Sequence, residues 1–114
     1  MRERGVFMSK EIFIIFFFSI DVNILNRFGE SAAHTAVEEN NIEGLNLLLS
    51  HPNLTALTLN MKDNYFGNTP VMRAVMRNRL EHLEVLVADP RVDLDTTDNE
   101  GRSLEEVAYE EYNW

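Results

Sequence analysis

Apolar residues along the chain recur in helical patterns. Leu45, Leu48 and Leu49 follow Ile42 at offsets of 3, 6 and 7 residues, the spacing of one helix face, and Pro52 prevents that helix from extending. Leu80, Leu83, Val85, Leu86 and Val87 stand at the offsets of Ile42, Leu45, Leu47, Leu48 and Leu49. This predicts a second such helix over Leu80–Ala88, closed by Pro90, and one core shared by both. A shorter helix precedes each. One is Ala32–Glu39, whose Ala32, Ala33 and Ala36 let a neighbour come close, and the other is Pro70–Arg77. Asn40 with Asn41 ends the first and Asn78 the second, because Asn tolerates the left-handed backbone that terminates helices.

The short helices open on a shared signal. In Asn64-Tyr65-Phe66-Gly67-Asn68-Thr69-Pro70, Gly67 supplies a turn position with positive φ, Thr69 caps the helix and Pro70 fits its first position. Asn26-x-x-Gly29-x-Ser31 with Ala36, and Asp98-x-x-Gly101-x-Ser103 with Ala108, repeat the offsets of Asn64-x-x-Gly67-x-Thr69 with Ala74. The chain is therefore a repeat array, with units at 26–60 and 64–97 and a third, 98–114, that begins a first helix without a second. The acidic face of that last helix, Glu105, Glu106, Glu110 and Glu111, suits a terminal unit facing water. Leu54–Lys62 holds four residues more than the matching link of the next unit, an insertion placed in a connection.

Ahead of the units, residues 1–20 form an apolar amino-terminal segment. Its run Ile12–Ile20 has the composition of a strand. Laying Asp21 over Asp93 nevertheless puts Phe13, Ile14, Ile15 and Ile20 on Val85, Leu86, Val87 and Val92, so Lys10–Phe18 reads as a half-repeat second helix, linked by extended Asp21-Val22-Asn23 to the domain 21–114. Nine residues are too few to span a bilayer as a helix. The minority reading is a signal peptide, with Arg2, Arg4 and Lys10 ahead of the apolar run but no small residues for cleavage. In that case Asn53-Leu54-Thr55 becomes a glycosylation acceptor.

Composition narrows the function. With 114 residues, 45% of them hydrophobic, the chain builds one folded domain, and without cysteine it has neither disulfides nor thiolate metal sites. That fits a reducing compartment, cytoplasmic or nuclear. A net charge of −9 argues against nucleic acid as the main partner. Gly29, Gly67 and Gly101 are isolated and make no phosphate loop, no His is spaced with carboxylates as a metal site, and the serines lie at caps. Neither an enzyme nor a cofactor is indicated.

The turn and helix signals resemble the ankyrin repeat family, whose Asp/Asn-x-x-Gly-x-Thr-Pro-Leu-His-x-Ala pattern recurs about every 33 residues. Gly67, Thr69, Pro70 and Ala74 match it, as do Gly29, His34 and Ala36, and Gly101 and Ala108, at glycine spacings of 38 and 34. Ser31 with Ala32, and Ser103 with Leu104, replace the Thr-Pro pair. The resemblance implies an all-α solenoid of stacked antiparallel helix pairs joined by hairpin-like loops. It also implies a scaffold or adaptor that binds a protein or peptide through its loop tips and the concave face of its first helices. Carried over by position, the contacts are Arg27, Phe28 and Glu30, then Tyr65, Phe66 and Asn68, then Asn99, Glu100 and Arg102, with Glu38, Glu39, Met76, Arg77, Glu110 and Glu111 on the helices. His34, at the family's His position, is expected to hydrogen-bond a neighbouring loop.

Phe28, Tyr65 and Phe66 are the sharpest binding candidates, since exposed aromatics anchor interfaces, unless they fold back on a neighbouring turn. The acidic residues from Asp93 to Glu111 could meet a basic surface, although a solvated face is the plainer account. The alternative function is a structural segment of a longer array, which would leave Leu104 and Val107 exposed.

Overall fold

The computed structural model describes residues 19–112, so the expected half-repeat helix at Lys10–Phe18 lies outside the described residues. Among the described residues six helices follow one another: α1 Ala32–Glu38, α2 Ile42–Leu49, α3 Ala56–Leu59, α4 Pro70–Met76, α5 Leu80–Ala88 and α6 Leu104–Tyr112. The first helices α1, α4 and α6 pack side by side in one layer, and the second helices α2 and α5 in another. This is the all-α stacked arrangement that the repeat pattern implies.

Local chemistry accounts for each boundary. Ser31 Oγ accepts from the amide of His34, Thr69 Oγ1 from that of Met72 and Ser103 Oγ from that of Glu106, so each first helix has the hydroxyl cap expected of it. Pro70 sits in the first turn of α4. Asn40 and Asn78 end α1 and α4 at φ of 57° and 56°, the left-handed conformation foreseen for them.

Ala33, Ala36, Val37, Leu45, Leu48, Val71, Ala74 and Leu86 form the main core between the layers, and Met72, Val75, Val107 and Ala108 a second cluster towards α6. The second helices do not present identical faces. Leu45 and Leu86 are fully buried, but Leu47, Leu80 and Val87 are exposed, because these helices are apolar on more than one side and only one side meets the first-helix layer. Val107 is buried against α4 and Leu104 half-buried, against the longer-array alternative, for which both would lie open. The insertion 54–62 also has structure of its own. Thr55 caps the short α3, and Leu54, Thr58 and Leu59 are buried.

Polar side chains of one unit complete the backbone of its neighbour. Arg79 donates to the carbonyls of Val37 and Glu38 at the end of α1, and Arg91 to those of Leu49 and Leu54 beyond α2. His34 donates from Nε2 to the Asn68 carbonyl, 2.8 Å away, and accepts the Ser31 amide at Nδ1, which fixes its neutral tautomer. The neighbouring-loop bond expected of His34 is thus present.

The turns also join edge to edge. The Asn64 amide donates to the Phe28 carbonyl and the Asn99 amide to the Phe66 carbonyl. At Gly67, with φ of 70°, an added Cβ would lie 2.2 Å from the Asn99 side chain and 2.9 Å from its backbone nitrogen, whereas at Gly101, with φ of 78°, it would meet nothing within 4 Å. Gly67→Ala should therefore destabilise the fold by about 2 kcal/mol or more, and Gly101→Ala by about 1 kcal/mol from its left-handed backbone alone. Urea denaturation of the two variants gives the difference.

Candidate functional site

The turn before α4 is held by a residue one place earlier than the repeat pattern indicates. Asn26 Oδ1 accepts the amides of Phe28 and Glu30, and Asp98 Oδ1 those of Glu100 and Arg102. In the middle turn this work falls to Asp63, whose Oδ1 accepts from Tyr65, Phe66 and Gly67, and not to Asn64. Asn64 corresponds instead to Asn99, since each passes its amide to the preceding turn and its side-chain nitrogen to a carbonyl there. The middle turn is consequently one residue longer than its neighbours and displays two aromatic residues where the first displays one.

Those aromatics are exposed, Tyr65 to 67% and Phe66 to 59%. They also touch. Phe28 and Tyr65 have ring centroids 5.6 Å apart, Tyr65 and Phe66 6.3 Å, and the Arg27 guanidinium lies 5.1 Å over the Phe28 ring. Both accounts of these residues hold in part, because the row spans neighbouring turns while its Tyr65–Phe66 end stays open.

Behind that end lies a groove of about 360 Å³ between the turns and the first helices. It brings together Glu30, Glu38, Glu39, Tyr65, Phe66, Asn68, Met76 and Arg77 of the positions inferred by resemblance. Asn68 is not at the exposed tip as expected. It is 2% exposed at the groove floor, where Nδ2 donates to the Met76 sulfur and Oδ1 has no partner among the described residues. The third turn does not reach the groove. There Asn99 is tied to the middle turn, and Arg102 is held by Asp98 and Glu110, with the largely exposed Glu100 3.6 Å from its guanidinium.

The floor is organised by a residue that the repeat pattern does not single out. Arg73, on α4, is buried and donates to Asp63 Oδ2 at 2.5 Å and to Glu30 at 2.9 Å, with Glu38 3.7 Å away. Burial opposes ionisation of Asp63, but the Phe66 amide, the Arg73 guanidinium and the Gly67 amide outweigh it and hold the carboxyl below its ordinary value of 3.8. Glu30 is held below 4.5 by the Asn26 side chain first and Arg73 second. Burial pushes His34 below its ordinary 6.5, against the pull of its bond to the Asn68 carbonyl. An Arg in the unspecified position of the helix pattern, three residues after a Pro-capped start, was the only signal of this centre.

The chemistry is ionic and non-nucleophilic, and among the described residues no three His, Asp or Glu side chains are grouped to hold a metal ion. Two measurements test the network. The folded carboxyls titrate lower than the unfolded ones, so the stability from Asp63 and Glu30 is complete above 4.5 and is lost as pH falls through their lowered folded values. His34 adds an earlier decline, setting in below 6.5, where the unfolded imidazole takes up a proton that the buried one refuses. His34→Gln should remove that early decline from the stability–pH curve and cost about 1–3 kcal/mol at neutral pH. Arg73→Met should cost about 3–5 kcal/mol by urea denaturation, since it leaves Asp63 buried without its cation.

No curated protein matches the chain. A sequence-family comparison matches residues 7–98 to ankyrin repeats in three copies. It ends before α6, although the third turn and its capped helix repeat the geometry of the two units before them. Turns, paired helices and match coincide over both complete units, and the chain belongs to the ankyrin repeat family, a non-catalytic fold whose repeats are general protein–protein interaction modules.

Proposed function

We propose that the chain is a protein-interaction module that binds a protein or peptide carrying a basic surface, through the middle loop tip and the groove behind it. The observation that supports this is the open Tyr65–Phe66 pair at the mouth of the groove, because exposed aromatics beside a concavity supply large contact area at small entropic cost. Four carboxylates and two guanidiniums line the groove, so its own charge favours a cationic partner, in line with the chain's −9. Nucleic acid does not fit that charge. The proposal includes an intracellular site of action, cytoplasmic or nuclear, in keeping with a chain that has no cysteine.

A second reading, a structural segment of a longer array, loses the exposed Val107 it called for but keeps one observation in its favour, an apolar groove of about 250 Å³ among Val75, Leu83, Val87, Leu94 and Leu104. It expects concentration-dependent self-association of the isolated chain, which sedimentation would detect.

Selecting phage-displayed random peptides on the folded chain tests the first reading. Enriched peptides should lose at least about tenfold in affinity for a Tyr65→Ala/Phe66→Ala double variant whose melting temperature stays within a few degrees of the parent. Peptides that bind both proteins equally would move the site elsewhere. A large drop in melting temperature would make the aromatic pair part of the scaffold.

A further inference from the structure

The groove holds an unusual set of unused groups. Asn68 Oδ1 is buried at the floor and unpartnered among the described residues, while Nδ2 of the same amide rests on the thioether of Met76, a flexible side chain that lines the groove and can swing aside. At the end of α1, Glu39 is exposed and enters no ion pair among the described residues, next to Glu38, which is shared between Arg77 at 3.1 Å and Arg73 at 3.7 Å. The middle turn contributes Tyr65 and Phe66 to the same groove. The aromatic row already carries a guanidinium at its far end, Arg27 over Phe28, and none from the described residues over the two rings that line the groove.

From this we infer that the groove is a slot for an arginine side chain of the partner. The guanidinium would lie against the Tyr65 ring, pair with Glu39 and donate to Asn68 Oδ1. The inference rests on the interaction reading above and names what that site selects. Arginine fits better than lysine in this groove for three reasons. A planar guanidinium stacks on a ring where an ammonium does not, it directs donors to two separated acceptors at once, and it sheds water more readily on entering a partly enclosed groove. A carboxylate side chain is excluded by Glu38 and Glu39, and an apolar one would leave Asn68 Oδ1 without a donor.

The test uses the full chain and fluorescein-labelled peptides of Gly and Ser carrying three spaced arginines, with lysine and citrulline counterparts, followed by fluorescence anisotropy. Citrulline keeps the shape and removes the charge. The arginine peptide should bind at least about tenfold more tightly than the citrulline peptide and several-fold more tightly than the lysine peptide. Glu39→Gln and Tyr65→Leu, both at exposed positions, should each reduce arginine binding about three- to tenfold. Asn68→Leu should erase the arginine-over-lysine preference while the circular dichroism spectrum stays that of the parent. If Asn68→Leu does not fold, Tyr65→Leu carries the same comparison. Equal affinity for the arginine and lysine peptides, or no response to Glu39→Gln and Tyr65→Leu, would overturn the slot and leave only diffuse charge attraction. Library peptides that depend on Tyr65 and Phe66 yet contain no arginine would overturn this inference while the interaction reading stands. A library that yields no binders would remove both.

Discussion

A buried carboxylate is costly to leave ionised, and Asp63 is ionised with its side chain wholly out of solvent. Its two oxygens meet three amides of its own turn and one guanidinium, so the cost is met only while all four donors are in place. That condition ties three things together. It sets the path of the Tyr65–Gly67 tip, it fixes Arg73 on α4 beneath the groove, and through Arg73 it reaches Glu30 in the turn before. The open aromatic pair, the groove floor and the register between the first two units follow from one buried charge.

Beyond that centre, the stack is closed mainly by finishing one unit's backbone with a neighbouring unit's side chains. A solenoid has contacts only between neighbours, so each interface must satisfy its own orphan groups. Arg79 and Arg91 meet the carbonyls left at the ends of α1 and α2, and His34 meets that of Asn68. The second interface solves the same problem differently. Met72 stands where the first unit has His34, and it packs on Val107 and Ala108, so an apolar contact replaces a polar stitch. The Tyr112 hydroxyl, donating to the Met76 carbonyl at 2.6 Å, adds one bond across that seam.

What the sequence makes legible is whatever depends on spacing within a dozen residues. The capped first helices, the Asn terminators and the positive-φ glycines all stand where their offsets put them. What it hides depends on choices between adjacent candidates or on distant partners. Asp63 and Asn64 both satisfy the turn pattern, and only the three amides gathered on Asp63 reveal which one holds the turn. Leu80 and Val87 are apolar and helical, but a helix that is apolar on several sides does not announce which side will be covered. The four residues of α3 carry no period long enough to read, and they fold because Leu59 is buried. Arg73 and Glu30 are 43 residues apart, a separation at which no local pattern speaks.

The extra residue in the middle turn explains how one scaffold can hold a tip of its own design. In the first and third turns, one carboxylate or amide oxygen accepts two amides and leaves a short tip, Arg27-Phe28 or Asn99-Glu100. In the middle turn the same device accepts three, so the longer tip is anchored through its backbone alone. Neither aromatic side chain is needed to hold the turn, and both are free to face the groove. Asn68 lies beyond the extra residue and keeps the backbone place of Glu30 and Arg102, each passing its carbonyl to the residue that anchors its turn, yet its short side chain is buried, so a position expected to display itself to solvent forms the floor of the site. Turn anchoring and surface display are thus carried by different atoms of the same residues, and the side chains can change their chemistry without changing the fold that presents them.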